Sequence, residues 1–398
     1  MSVLNSSISE LVRTGSVDLV SENAADTYSL IDRFLAKHGD SAFYIVNLSH
    51  IVKQVELWKA LFPNVQPFYA VKCNSDRVIL KVLAELGVNF DCASKNEIKN
   101  ALDFVGPDRI IYANPCKTSQ NISYSRSQDV DLLVFDSQEE LYKIKIYHPY
   151  AKLVLRIKVD DTLSLCRFSQ KFGMGLDDVP DIIDLCKLLK LNVVGVSFHV
   201  GSGCGSGAQF AAAVQDAAKV FDMFAQKSVY LSLLDIGGGF VDRPDFAAFI
   251  QPLVDALGDF QRSYPSTTMI AEPGRFFVAQ SHTLVLQVIG KKVIKHSDDV
   301  KFAYYLNDGI YGSFNCAIFD HARPEICPYS ERNEDTKHPS WVFGPTCDSV
   351  DKMDGIHMLP ELVISETVFV PNFGAYTRAS STTFNGFDHV PSYYVIVA

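Results

Sequence analysis

The sequence lacks the marks of a membrane-inserted, disulfide-stapled or nucleic-acid-binding protein. No apolar run approaches the roughly 18 residues of a spanning helix, and the opening Met1-Ser2-Val3-Leu4-Asn5-Ser6-Ser7 has neither the basic region nor the apolar stretch of a secretory signal. Nine cysteines are an odd count without regular spacing, and neither CxxC pairs nor zinc-like His/Cys clusters occur, which argues against a disulfide framework and a structural metal. Basic charge is also short. A formal net charge of -10 disfavours nucleic acid or an anionic membrane surface as a partner, since either needs a basic face. These absences predict a cytoplasmic protein with reduced thiols and no metal, and they leave a small cationic substrate open.

What is present is an ordinary globular composition, 47% hydrophobic and 21% charged over 398 residues, enough chain for two domains and a large core. Short apolar segments recur, each stopping at a polar residue or glycine: Phe68–Lys72, Asn89–Asp91, Ile110–Asn114, Leu132–Asp136, Leu153–Arg156, Val194–His199, Leu233–Gly237 and Met269–Glu272. Helical periodicity lies between them, as in Val78, Ile79, Val82, Leu83 and Leu86, with Ser75 as N-cap candidate and Gly87 as stop signal. Eight such units predict an α/β fold, a closed (β/α)8 barrel over 44–280 whose catalytic groups gather at the strand C-termini. After about residue 277 the texture turns β-branched and aromatic, in Thr283–Ile289, Phe302–Leu306, Leu362–Val370 and Tyr393–Val397. This predicts a second, β-rich domain made of 1–43 and 281–398, with a helix at Ala25–His38 and a surface loop at Glu334–Ser340.

Lys72 ends the first of these segments, and a lysine at the tip of a buried strand loses hydration, which frees its lone pair for Schiff-base chemistry. A lone lysine there is ordinarily a solvated loop residue. Downstream, Gly237-Gly238-Gly239 follows the seventh segment and Gly274-Arg275 the eighth, the places where barrels of this type bind phosphate through open backbone amides. A glycine triplet alone is more often only a turn. An amine and a phosphate site together point to pyridoxal 5′-phosphate. Glu272 would then face the pyridine nitrogen, its ordinary alternative being a pair with Arg275. His199 would lie against the ring and Ser202 would reach the phosphate, while Asp91 and Arg156 would bond around the Schiff base and ring hydroxyl, surface pairing being the default for both. In the β-rich part Cys347 lies beside Asp348, either as a core thiol or as a proton donor. Asp320 and Asp348 would make an acidic pair for an ammonium group, although spacing alone does not bring them together.

Seven motifs in one order carry a resemblance: Tyr69-Ala70-Val71-Lys72-Cys73-Asn74, Phe90-Asp91-Cys92-Ala93-Ser94, Phe198-His199-Val200-Gly201-Ser202-Gly203, Asp235-Ile236-Gly237-Gly238-Gly239-Phe240, Glu272-Pro273-Gly274-Arg275, Gly344-Pro345-Thr346-Cys347-Asp348 and Gly374-Ala375-Tyr376-Thr377. From about Phe43 onward the chain resembles the eukaryotic-type ornithine decarboxylases of the alanine-racemase-like pyridoxal-phosphate fold group. The resemblance implies decarboxylation of L-ornithine to putrescine, the first step of polyamine synthesis, in a head-to-tail homodimer with two shared active sites. It assigns Lys72 to the cofactor aldehyde, Glu272 to the pyridine nitrogen and His199 to ring stacking. Ser202, Gly237 to Gly239, Gly274, Arg275 and Tyr376 would hold the phosphate. Cys347 of the second subunit would protonate Cα, with Asp348 binding the distal amine alongside Asp320 of the first, and Phe384 and Asn385 shaping the pocket. Lys171 and Asp351 resemble an interface salt bridge, and Gly374 a close backbone approach.

There are departures: Phe319 stands where the family generally carries tyrosine, Gly205-Ser206-Gly207 where it has Thr-Asp-Pro, and Phe343 where tryptophan is usual. Two rivals remain. One is a lysine, arginine or diaminopimelate decarboxylase, because one methylene is worth only about 1–3 kcal/mol of discrimination. The other is a non-catalytic homologue like the antizyme inhibitors, which should have lost the cofactor contacts that this chain keeps. The resemblance also leaves open an antizyme-like regulator.

Overall fold

The structure, a computed structural model, describes residues 12–295, 299–330 and 336–397, and the chain divides into two compact units. The first spans Gln54–Phe276. Its strands are β1 (Val65–Ala70), β2 (Asn89–Cys92), β3 (Ile110–Tyr112), β4 (Leu132–Phe135), β5 (Lys152–Arg156), β6 (Asn192–Ser197), β7 (Leu233–Asp235) and β8 (Thr268–Ala271). All pair in parallel, and β8 pairs with β1, so the sheet closes into the expected barrel. Strands covered on both faces need continuous apolar sequence, and Leu132-Leu133-Val134-Phe135 is such a run. Phe68, Ile111, Val134, Val154, Leu233 and Ile270 form one buried interior cluster drawn from six of the strands. At about 1.5–3 kcal/mol per large side chain, this layer is a main source of the barrel's stability.

The helix Arg77–Glu85 follows β1 and buries Ile79, Leu80, Val82 and Leu83. Asp76, one residue beyond the expected Ser75, is its N-cap: the carboxylate accepts from the Val78 amide at 2.9 Å and the Ile79 amide at 3.4 Å. Asn74 Oδ1 accepts the Asp76 amide at 3.1 Å, which makes residue 75 part of the preceding turn.

The second unit takes the described residues up to Lys53 and from Phe277 onward, so its borders differ from the expected 43/44 and 280/281. The cause is the strand Phe43–Asn47, which pairs parallel with Ser392–Val397 and antiparallel with His282–Val293. These strands belong to a nine-stranded sheet in the order Val17–Val20, Ser392–Val397, Phe43–Asn47, His282–Val293, Phe302–Leu306, His338–Phe343 and His357–Leu359, with Thr367–Val370 and Cys327–Pro328 joined beside His282–Val293. The helix Thr27–His38, capped by Asp26 on the Ser29 amide at 3.0 Å, packs Leu30, Ile31 and Phe34 onto Phe43, Ile45, Val285 and Val395.

Two β-rich expectations change. Only Thr367–Val370 of Leu362–Val370 is strand, because Val363 and Glu366 close a turn before it. Of Glu334–Ser340, residues 334 and 335 lie outside the described residues, and His338–Ser340 begins a strand parallel to Phe302–Leu306. Among the described residues no helix is long and apolar enough to cross a membrane.

Candidate active site

Lys72 lies in a one-turn 3₁₀ helix, Val71–Cys73, at the C-terminal end of β1. Below it the Tyr69 hydroxyl donates to the Asn74 carbonyl at 2.9 Å and the Ala70 amide to the Pro273 carbonyl at 3.2 Å, fixing the turn against the end of β8. Lys72 Nζ donates to Asp91 Oδ2 at 2.6 Å. The lysine side chain is 40% exposed and the aspartate's is fully buried, so the amine sits at a half-open tip against a carboxylate rather than at a dry one. Asp91 Oδ1 is buried and has no hydrogen-bond partner among the described residues.

Facing this pair from the last two strands are two buried carboxyls. Asp235 ends β7, and burial raises its pKa to about 7. Glu272 follows β8, and burial first, then the charges of Asp235 and Asp91, hold it well above the ordinary carboxylate range. Asp235 was quoted in a motif but given no role from the sequence; its signal is a carboxylate ending an otherwise apolar strand. Beside it in register, Ser197 on β6 keeps a buried hydroxyl that has no hydrogen-bond partner among the described residues.

His199 follows β6. Its Nδ1 accepts the Gly201 amide at 3.0 Å, which assigns the proton of the neutral ring to Nε2. Burial, then the charges of Arg156 and Lys72, push its pKa well below the ordinary value. Phe168 packs edge-on against the imidazole with centroids 4.9 Å apart, a neighbour the sequence did not reveal. Arg156, at the end of β5, lies 5.0 Å over the Phe172 ring.

The phosphate candidates also converge. Arg275 Nη2 donates to Ser202 Oγ at 3.3 Å. A Cβ on Gly238 would come within 2.7 Å of the Glu272 carbonyl and 2.8 Å of His199 Nε2, and Gly237 and Gly239 hold φ values of +62° and +108°, so this loop requires glycine. A Cβ on Gly274 would stand 3.0 Å from that of Cys73.

The remaining candidates belong to the sheet unit. Cys347 is exposed, and its amide donates to Asn385 Oδ1 at 2.9 Å. Asp348 Oδ2 accepts the Tyr311 hydroxyl at 2.5 Å, a bond that lowers the aspartate's pKa and raises the tyrosine's. Tyr311 in turn stacks on Phe384, centroids 4.3 Å apart. Tyr311 had no role in the sequence reading, where it is only part of the stretch that ends at Asp320-His321. Asp320 is 7% exposed at the end of the short helix Cys316–Phe319, whereas Phe319 is 68% exposed. Tyr376 adopts a left-handed φ of +58°, which a side chain rarely tolerates without a reason. Gly374 does make a close approach, since a Cβ there would stand 2.0 Å from the Val278 carbonyl. Asp351 is 1% exposed and accepts from Ile310, from the Thr346 amide and from its hydroxyl, bracing its own loop; Lys171 lies 5.1 Å over the Phe172 ring.

The barrel residues fit pyridoxal phosphate. An amine beside a buried carboxylate oxygen with no partner among the described residues, a buried carboxyl pair and a backbone loop closed to side chains beside an arginine match an aldehyde, a pyridine nitrogen and a phosphate. Residues 48–279 match the family described as pyridoxal-dependent decarboxylase, pyridoxal binding domain, and the chain belongs to that family: it is a pyridoxal-phosphate-dependent decarboxylase. It is 44% identical over 358 residues to ornithine decarboxylase of Schizosaccharomyces pombe, covering 87% of this chain and 81% of that protein. It is also 43% identical over 373 residues to antizyme inhibitor 2 of Xenopus laevis, with 89% and 81% covered. Among solved structures, the Paramecium bursaria Chlorella virus arginine decarboxylase bound to agmatine superposes with a TM-score of 0.87 at 36% identity, over 92% of this chain and all of that one.

Proposed function

We propose that the protein converts L-ornithine to putrescine and CO2. The observation that carries this reading is the complete barrel constellation of Lys72, Asp91, His199, Glu272 and Arg275 in a chain 44% identical to an ornithine decarboxylase. Bound there, pyridoxal phosphate supplies an aldehyde that condenses with amines and a ring that takes up the electron pair left by departing CO2. Lys72 provides the resting amine, which Asp91 holds in place until the substrate amine takes over. Arg156 reaches the ring's surroundings, and His199 presents an uncharged face held by the Gly201 amide. Glu272 keeps the pyridine nitrogen protonated. Ser202, Gly237, Gly238, Gly239, Gly274, Arg275 and Tyr376 hold the phosphate. Cys347 returns a proton to Cα after CO2 leaves. Asp348, held in place by the Tyr311 hydroxyl, acts with Asp320 on the distal ammonium, and Phe384 and Asn385 place these groups.

This reading includes a homodimer in which Cys347 and Asp348 of one copy serve the Lys72 of the other, an antizyme-like regulatory partner, a cytoplasmic location consistent with nine free cysteines, and a place as the first step of polyamine synthesis. One assay tests it: CO2 release from ornithine, lysine and arginine in parallel, with ornithine expected to lead in kcat/KM. Preference for lysine or arginine would reassign the substrate, and no release from any of them would leave the antizyme-inhibitor-like alternative. A Cys347→Ala variant should divert the product toward an aldehyde. Clean putrescine from it would remove Cys347 as the acid.

A further inference from the structure

Leu233 and Ile270 both belong to the barrel's interior cluster, and two residues beyond them Asp235 ends β7 and Glu272 directly follows the adjacent, parallel β8. Side chains alternate along a strand, so both carboxyls extend from the same inward face. One glycine ties them together: the Gly237 amide donates to Asp235 Oδ1 at 2.8 Å, and the Gly237 carbonyl accepts the Glu272 amide at 2.7 Å. Asp235 is fully buried, yet its Oδ2 has no hydrogen-bond partner among the described residues. A buried acceptor left in that state is costly, and two neighbouring carboxylates away from water repel. A single proton between the two side chains removes both penalties.

We propose that Asp235 and Glu272 share one proton before the cofactor binds, that Glu272 passes it to the pyridine nitrogen on docking, and that Asp235 is the positioning residue that holds Glu272 for this transfer. The transfer balances: an O–H bond of Glu272 breaks, an N–H bond forms on the nitrogen lone pair, and no other reactant enters. This rests on the reading of Glu272 as the pyridine partner. The surroundings agree with it. Burial raises the pKa of both carboxyls, and the charge of Asp91 from β2 adds to the rise; the Gly237 amide and Arg156 from β5 oppose it at Asp235, and Lys72 opposes it at Glu272. Removing the negative charge of Asp235 takes away the second-largest cause of the Glu272 shift.

Infrared difference spectra of the full-length protein at neutral pH, with and without pyridoxal phosphate, test the inference. The wild type should lose a carboxylic-acid carbonyl band, one that shifts in D2O, when the cofactor is added. The same band should survive addition of the 1-deaza analogue, whose ring offers no lone pair. Glu272→Gln and Asp235→Asn should both lack the cofactor-sensitive band. An unchanged wild-type spectrum, loss of the band with the deaza analogue, or a band persisting in Asp235→Asn would overturn the proposal. If Asp235→Asn fails to fold, the wild-type and Glu272→Gln spectra with the two cofactors decide alone. None of these readings depends on turnover, so the absence of CO2 release from ornithine would defeat the proposed function while leaving the proton transfer standing.

Discussion

A single carbon added at Gly238 would reach two functional groups at once, the Glu272 carbonyl and the His199 ring. Gly238→Ala should therefore destabilise the chain by about 1–3 kcal/mol and weaken pyridoxal phosphate binding, read by chemical denaturation and by cofactor titration. His199 makes a different kind of prediction. Its pKa is depressed in the folded chain, so below the ordinary value of about 6.5 the unfolded chain takes up a proton that the folded one refuses. Stability from this group is complete above that value and falls by up to about 1.4 kcal/mol per pH unit as the solution is acidified toward the folded pKa. Unfolding curves of the wild type and His199→Gln across this range should converge on acidification, the variant lacking the acid-side loss. Parallel curves would show that His199 binds its proton equally in both states.

Caps and buried ion pairs govern the barrel's supporting helices and loops. Asp76→Ala removes the acceptor for two helix-start amides and should cost about 1 kcal/mol in a denaturation midpoint, whereas Ser75→Ala should cost little. Lys117, in the loop after β3, and Glu140, in the first turn of the helix Gln138–Tyr147 after β4, form a buried pair at 2.9 Å, and Lys117 Nζ also donates to the Val134 carbonyl at 2.6 Å and the Asn114 carbonyl at 3.0 Å. Lys117→Ala leaves Glu140 buried with only Lys143 as a cation, so about 3–5 kcal/mol should be lost in the same measurement. The contrast between these two sites shows what sequence can carry. Eight apolar segments ending in polar residues were enough to locate all eight barrel strands, because period and strand-end chemistry are local. The Lys117–Glu140 pair joins residues 23 apart in the chain, and nothing local in either one marks it. The same limit hid Asp235, Phe168 and Tyr311, whose partners come from other strands or loops. It also shifted the unit border, since Phe43–Asn47 is claimed by the sheet only through pairing with residues near 285 and 394.

The chemistry assigned above is divided between two compact units, with Lys72 in one and Cys347 in the other. If each chain completed its own site, two variants each lacking one of these residues would gain no putrescine formation when mixed. If sites are shared across a twofold dimer, mixing changes the outcome. Random reassociation of Lys72→Ala with Cys347→Ala yields about half mixed dimers, and one of the two sites in each draws both of its residues from unmutated units. Equal amounts should then recover about a quarter of wild-type putrescine formation per site, with the recovered fraction falling as dilution drives subunits apart. No recovery, from variants that are folded and that exchange subunits by a tag-capture control, would confine the site to one chain. Cys347 would then serve the Lys72 of its own chain.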